Sequence, residues 1–427
     1  MSTKKMSMFF ASLLFVLGFA QGIHEWTWLG PEEGEMKCLN ETDLRCRGIY
    51  EPHNNSIVWP GARCCSHVWS VGNIAYVWGG WGYDAKGKLG YLNDLWQFNS
   101  SSLTWAWIGG SREANKPSTP KWPGGRHYAA YAYDSKREAF YIFSGQGVPE
   151  GNHSDYLRDL WLFNMSNMRW KYVGNFTEPA PRKWSSFWSG KHGLFVLGGE
   201  GGGHRRTFND FWMFNYEKSE WHKLYNRPGD IYGQYNASHK QFPGERHNAF
   251  TVLGDDGDLY MFGGSGHGIK PNNGTTSDVW KWKVKEREWE FLGGNPGGVD
   301  EKGTCGTRGQ SSSTFLPTAR HAGYNFDFLS PNGKMLIMGG EHYGESVVFN
   351  DIWSLDIQSL EFTFEAGDCN VNNVNRTVLG ETFTIIVIII STLGYIFQKY
   401  HHDMICLRSR DAPSRDAYGF RCTRTQM

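Results

Sequence analysis

One pattern recurs five times along the chain, and it limits the fold more than any other feature. An apolar run ends in a glycine pair: YVWGG at 76–80, YIFSG at 141–145, FVLGG at 195–199, YMFGG at 260–264 and LIMGG at 336–340. The glycines are Gly79 and Gly80, Gly145, Gly198 and Gly199, Gly263 and Gly264, and Gly339 and Gly340. After a variable loop comes Asp-x-Trp in an alternating stretch, centred on Trp96, Trp161, Trp212, Trp280 and Trp353. A second aromatic follows each of these by nine residues: Trp105, Trp170, Trp221, Trp289 and Phe362. An arginine precedes every glycine pair by a near-constant interval, at Arg63, Arg126, Arg182, Arg246 and Arg320. Period-two alternation means strands, and nine residues carry a chain down one strand, round a turn and back. The two rings are expected to face each other across that pair. Glycine pairs allow close backbone approach or positive φ where the inner strand ends. The 53 glycines and 20 tryptophans of the 427-residue chain fit many tight turns and half-buried strands. Such a sheet buries its faces only against a copy of itself, so an all-β stack of repeats is expected.

Apolar run, Gly-Gly, loop, Asn-Asp-x-Trp and a Trp nine residues on resembles the kelch repeat, over roughly residues 24–367. The resemblance implies a β-propeller, five or six blades of four-stranded antiparallel sheet around a central channel, with the arginine on the innermost strand. Two copies depart from the pattern, with Ser144 before Gly145 and Phe362 in place of the last Trp. Residues 25–30 (EWTWLG) look like 104–109 (TWAWIG), an outer strand without its inner partners. In this family a terminal strand closes the ring. Residues 34–62 carry no glycine pair or Asp-x-Trp, which favours five blades with one spare strand over six.

Two apolar segments flank the repeats. Lys4 and Lys5 followed by the run 8–20 read as a signal peptide, residues 1–22, cleaved after Ala20 or Gly22. The run 382–398 is expected to be a transmembrane helix, following the propeller at 23–367 and a stalk at 368–381. Lys399, Arg408, Arg410, Arg415, Arg421 and Arg424 follow it, so the tail 399–427 is expected in the cytosol and the propeller outside it. All nine Asn-x-Ser/Thr sites precede that span: Asn40, Asn54, Asn99, Asn152, Asn164, Asn175, Asn236, Asn273 and Asn375. Six cysteines lie between the two apolar runs, Cys38, Cys46, Cys64, Cys65, Cys305 and Cys369, an even number that an oxidising compartment can pair in fifteen ways. A Cys38–Cys46 loop and a Cys64 or Cys65 bridge to Cys369 that staples the ring closure are expected. Cys406, just past the span, is accessible to palmitoylation. The terminal Thr425-Gln426-Met427 resembles a PDZ ligand, which would give the tail a cytosolic scaffold as partner.

Charge is balanced, 43 basic against 43 acidic residues, so nothing points to nucleic acid. The five arginines suggest either an anion or glycan site at a channel mouth or a repeated set of inter-blade hydrogen bonds, the second being the blander reading. A histidine follows in four copies: His67, His127, His247 and His321. The galactose oxidase propeller looks like kelch, but copper-radical chemistry needs a His and Tyr ligand set whose spacing is absent, and no cofactor is expected. Loops 227–245, 265–276 and 294–318 exceed what turns need and hold Tyr232, Tyr235, His239, His267 and Cys305. The expected function is non-catalytic: an adhesion or receptor-like protein whose propeller loops bind a protein or glycan. A secretory-pathway enzyme at the channel mouth and a scaffold-linked structural membrane protein are the alternatives.

Overall fold

A computed structural model describes residues 47–51, 58–149, 155–201, 206–225, 232–236, 241–267, 273–295, 301–321, 333–342, 347–367 and 369. It also describes the backbone of 12–17, 384–389, 405–407 and 421–423. Each repeat builds one antiparallel sheet. Sheet I runs through His67–Val71, Ile74–Tyr83, Leu89–Asn99 and Thr104–Gly109. Sheet II consists of Ala130–Asp134, Ala139–Phe143, Asp159–Asn164 and Arg169–Asn175. Sheet III follows with Ser186–Ser189, Gly193–Leu197, Phe211–Asn215 and Glu220–Tyr225. Sheet IV contains Phe250–Leu253, Leu259–His267, Asn273–Lys283 and Glu288–Asn295. Sheet V has Lys334–Met338, Ile352–Asp356, Phe362–Ala366 and, on its outer edge, Ser311–Ser312.

The third and fourth strands of every sheet join in the same way. The turn ends on a non-glycine residue in the left-handed region: Leu103, Met168, Ser219, Arg287 and Leu360, with φ between 54° and 58° in the first four and 58° in the last. The register also shifts at Asp-x-Trp in all five sheets. Together these features correct the expected ring pairing. Trp105 lies opposite Phe98, not Trp96. Likewise Trp170 faces Phe163, Trp221 faces Phe214, Trp289 faces Trp282 and Phe362 faces Leu355. At the same turn, Asn99 and Asn164 accept backbone N–H bonds through Oδ1, as Asn215 and Asp356 do. Two of the sequons therefore sit where the repeat itself favours Asn.

The aromatic nine residues on is what joins the sheets. Trp170 lies 5.2 Å from Trp78 of sheet I, and Trp221 4.9 Å from Phe143 of sheet II. Trp289 lies 5.2 Å from Phe211 of sheet III, and Phe362 5.6 Å from Phe262 of sheet IV. Four core clusters lie between consecutive sheets, I with II through IV with V, as stacked blades require. The far side of sheet I is covered by Tyr50 and Trp59, the latter 5.7 Å from Trp105.

Among the described residues no helix is long and apolar enough to cross a membrane. The expected helix at 382–398 lies mostly outside them. Its residues Thr384–Ile389 pair as a strand, in parallel, with Ser12–Leu17 of the expected signal peptide. Ile and Val dominate the first of these segments, and β-branched side chains suit a strand.

Candidate functional site

The loop leading into each blade ends at the repeat arginine, and geometry fixes what that arginine does. Arg63, Arg126, Arg182, Arg246 and Arg320 are at most 1% exposed. Each guanidinium grips the aspartate of its own Asp-x-Trp with two bonds: Asp94 at 2.7 and 2.8 Å, Asp159 at 2.6 and 2.7 Å, Asp210 at 2.6 and 2.8 Å, Asp278 at 2.9 Å twice, and Asp351 at 2.5 and 2.9 Å. The motif Trp donates Nε1–H to the same carboxylate, at 2.6 to 2.8 Å, from Trp96, Trp161, Trp212, Trp280 and Trp353. Arginine Nη1 also donates to the carbonyl of the first residue of the glycine pair, Gly79, Ser144, Gly198, Gly263 or Gly339. The Nε–H reaches a carbonyl two or three residues upstream. The arginines therefore hold their own blades together and leave no free face for an anion. These bonds run within a blade, which also corrects the expectation of inter-blade contacts. Tyr50 and Tyr235 each add a 2.7 Å bond to Asp94 and Asp278, so Tyr235 of the long 227–245 loop points inward.

The pair of residues after each arginine lies where one blade meets the next. The first of them pairs across the sheet with the residue after the glycine pair: Cys64 with Trp81, His127 with Gln146, Lys183 with Glu200, His247 with Ser265 and His321 with Glu341. The second takes a left-handed conformation, at Cys65 (φ 60°), Tyr128 (54°), Trp184 (62°) and Asn248 (56°). These residues carry the inter-blade bonds. Trp184 N–H donates to Tyr128 C=O at 3.1 Å and Asn248 N–H to Trp184 C=O at 2.7 Å. In sheets II to IV the second glycine of the pair donates to the next blade's arginine carbonyl, Gly145 to Arg182, Gly199 to Arg246 and Gly264 to Arg320. In the repeat without a first glycine, Ser144 adopts φ 60° and its Oγ accepts from Arg182 N–H.

The side chains of this ring are half-buried, and its chemistry is aromatic and polar. Trp184 stacks on His247, with centroids 5.4 Å apart, and lies 4.8 Å from Tyr128. Lys183 Nζ sits 3.7 Å over Trp184 and 3.4 Å from Glu200. Burial pulls the His247 imidazole down to about 3, with His321 and Lys183 adding to the effect, so the ring is neutral at physiological pH. Its Nδ1 is buried and has no hydrogen-bond partner among the described residues. His67 does not belong to the ring. It lies four residues after its arginine, is 1% exposed, and accepts from Ala129 N–H of sheet II at 3.1 Å.

The long loops are largely accounted for by structure. Residues 265–267 and 273–276 extend the hairpin of sheet IV, with Ser265 opposite Thr275. In loop 294–318, Ser311–Ser312 pair with the outer edge of sheet V. Cys305 in that loop is bonded to Cys369, at a Cα separation of 5.5 Å. That replaces the expected Cys369 bridge to Cys64 or Cys65, which are both free. The bond fastens a loop to its own blade rather than stapling the ring. His267 pairs with Glu245 at 2.8 Å, and Tyr232 lies edge-on to it. His239, Cys38, Cys46, Asn40, Asn54, Asn152, Asn375 and the tail motif lie outside the described residues. No group of three or more His, Cys, Asp or Glu suited to a metal ion occurs among the described residues.

Stacked four-stranded sheets, each braced by the same internal Arg–Asp–Trp unit, define a kelch-type β-propeller. Residues 69–293 match the KLHDC2/KLHL20/DRC7 Kelch-repeats domain, and the chain belongs to that kelch-repeat family. It is 26% identical over 274 residues to Kelch domain-containing protein 10 of Xenopus tropicalis, covering 52% of this chain and 61% of that protein. It is 25% identical over 219 residues to the Leucine-zipper-like transcriptional regulator 1 homolog of Drosophila melanogaster, covering 49% of this chain and 20% of that protein. The chain thus spans less than two thirds of the length of either relative.

Proposed function

We propose that this protein is a non-catalytic binding module that takes a protein ligand at the ring formed by His127, Tyr128, Lys183, Trp184, His247 and Asn248. The observation that carries the reading is the contrast between two adjacent positions. The repeat arginines are saturated inside their blades, whereas the two residues that follow them in sheets II to IV are half-buried and differ from blade to blade. Flat aromatics with polar edges suit a protein ligand, because Tyr and Trp give contact area at little entropic cost.

The propeller is tethered on the non-cytosolic side of a membrane by residues 382–398. The apolar run, the basic flank after it and the nine sequons before it support that placement, and the Cys305–Cys369 disulfide suits an oxidising compartment. Two tests separate the parts. Quantitative capture from cells should recover a discrete protein set with the full chain and lose it with Tyr128→Ala plus Trp184→Ala at unchanged melting temperature; an unchanged set overturns the binding reading. Glycosidase should lower the apparent mass, and a C-terminal tag should be reached only after permeabilisation; an unshifted mass with an exposed tag overturns the topology.

A further inference from the structure

The ring position after the arginine is His or Lys in sheets II to V but Cys64 in sheet I, and Cys65 follows it. Successive side chains of a strand point to opposite faces. Here the left-handed conformation of Cys65, φ 60°, breaks that alternation. The two Sγ atoms lie 3.0 Å apart, and both thiols are free. Cys64 is buried and Cys65 half-buried, so Cys65 is the more exposed of the two.

We propose that Cys64 and Cys65 form a reversible vicinal dithiol–disulfide site at the propeller mouth, oxidised by small aliphatic disulfides of the glutathione class. The Cys65 thiolate attacks one sulfur of the reagent, whose S–S bond breaks and releases one thiolate. Cys64 gives up its proton to the solvent, and its sulfur displaces the second reagent thiolate from Cys65. Two protein thiols are oxidised and one disulfide is reduced to two thiols. Adjacent Cα atoms across a trans peptide are ~3.8 Å apart, closer than the ~4.4–6.8 Å that disulfides prefer. The bond is therefore strained and easily reduced, which makes the site a labile one rather than a structural staple.

The electrostatics assign the two roles. The bond to Cys64 draws the Cys65 thiol down against the opposing effect of burial, and His127 and Tyr128, which also face its sulfur, add to the lowering. Cys64 is pushed the other way, as the partner that keeps its proton and is buried. The bond formed on oxidation removes the thiolate that faces His127 and Tyr128, and so changes the ring proposed above as a binding surface. The chemistry itself does not depend on that proposal.

The test uses the full chain, reduced and freed of reductant, then exposed to oxidised glutathione, alkylated and digested for mass spectrometry. The peptide holding both residues should be lighter by two hydrogens and unalkylated, and should become doubly alkylated after dithiothreitol. A doubly alkylated peptide without reductant, or one carrying two glutathiones, overturns the proposal. In Cys64→Ser the reaction should stop at a single stable glutathione adduct on Cys65, and the absence of an adduct overturns the assignment of the nucleophile. On the reduced wild-type chain, brief alkylation at neutral pH should favour Cys65 over Cys64 by at least about tenfold, and equal labelling would contradict it.

Discussion

Replacing Asp278 by Asn keeps the shape of the side chain and removes the charge that Arg246 faces. In the wild type that carboxylate accepts two bonds from Arg246 at 2.9 Å, one from Trp280 at 2.7 Å and one from Tyr235 at 2.7 Å, and it is fully buried. The carboxamide retains one acceptor oxygen and sets an NH2 group against donors. A buried guanidinium left without its counter-charge costs about 3–5 kcal/mol. Equilibrium urea unfolding of the two chains should show that loss as a lower midpoint. Adding Arg246→Met should cost less than the sum of the single changes by about 2 kcal/mol, because the stranded charge is then gone. Burial opposes ionisation of Asp278, but the Arg246 charge and the bonds from Arg246, Trp280 and Tyr235 outweigh it, so its carboxyl lies below the usual 3.8. With the folded value depressed, this contribution is complete above about pH 4 and disappears as pH falls through the folded value. The wild type should therefore lose its advantage over Asp278→Asn on acidification below that pH. A loss under about 1 kcal/mol for Asp278→Asn at neutral pH would refute the reasoning.

Further outcomes follow from the same geometry. Leu103 is 51% exposed at φ 56°, so Leu103→Gly should relieve left-handed strain and raise stability by about 0.5 kcal/mol in thermal unfolding. A Cβ at Gly199, φ +95°, would lie 2.3 Å from Ser185 Oγ and 2.8 Å from Lys183 O, so Gly199→Ala should cost about 3 kcal/mol. Gly72→Ala, with nothing within 4 Å at φ +56°, should cost only about 1 kcal/mol by the same measurement. The Cys305–Cys369 bond spans 64 residues, so Cys305→Ser should lower stability by about 4 kcal/mol under non-reducing conditions and by almost nothing under reducing ones.

The blades were legible because strand alternation, glycine pairs and Asp-x-Trp are local signals, and each recurs five times. The partner of the repeat arginine was written there too. Arg63 to Asp94, Arg126 to Asp159, Arg182 to Asp210, Arg246 to Asp278 and Arg320 to Asp351 span 31, 33, 28, 32 and 31 residues. That near-constant spacing ties a buried cation to a buried anion, yet the Asp reads from sequence alone as strand patterning. Other features depend on backbone conformation that residue types do not announce. A turn ending on Leu103, Met168 or Ser219 rather than glycine, together with the shift at Asp-x-Trp, moves the second aromatic two positions along its partner strand and against the preceding blade. His67 lies three positions beyond the place that His127, His247 and His321 take after their arginines, and so falls on the first strand of sheet I, opposite Trp78. Cys369 found Cys305 because the intervening loop folds back on its own sheet, a tertiary event with no trace in cysteine spacing.

The binding surface is tested most directly by a photo-crosslinking amino acid placed at Tyr128, beside Trp184 and half-buried at the mouth, and separately at Leu103, on an exposed turn away from it. In cells producing the full chain, illumination should join a discrete protein to the Tyr128 position and nothing to the Leu103 position. Adducts at Leu103 with none at Tyr128 would contradict a ligand held by the ring that follows the repeat arginines.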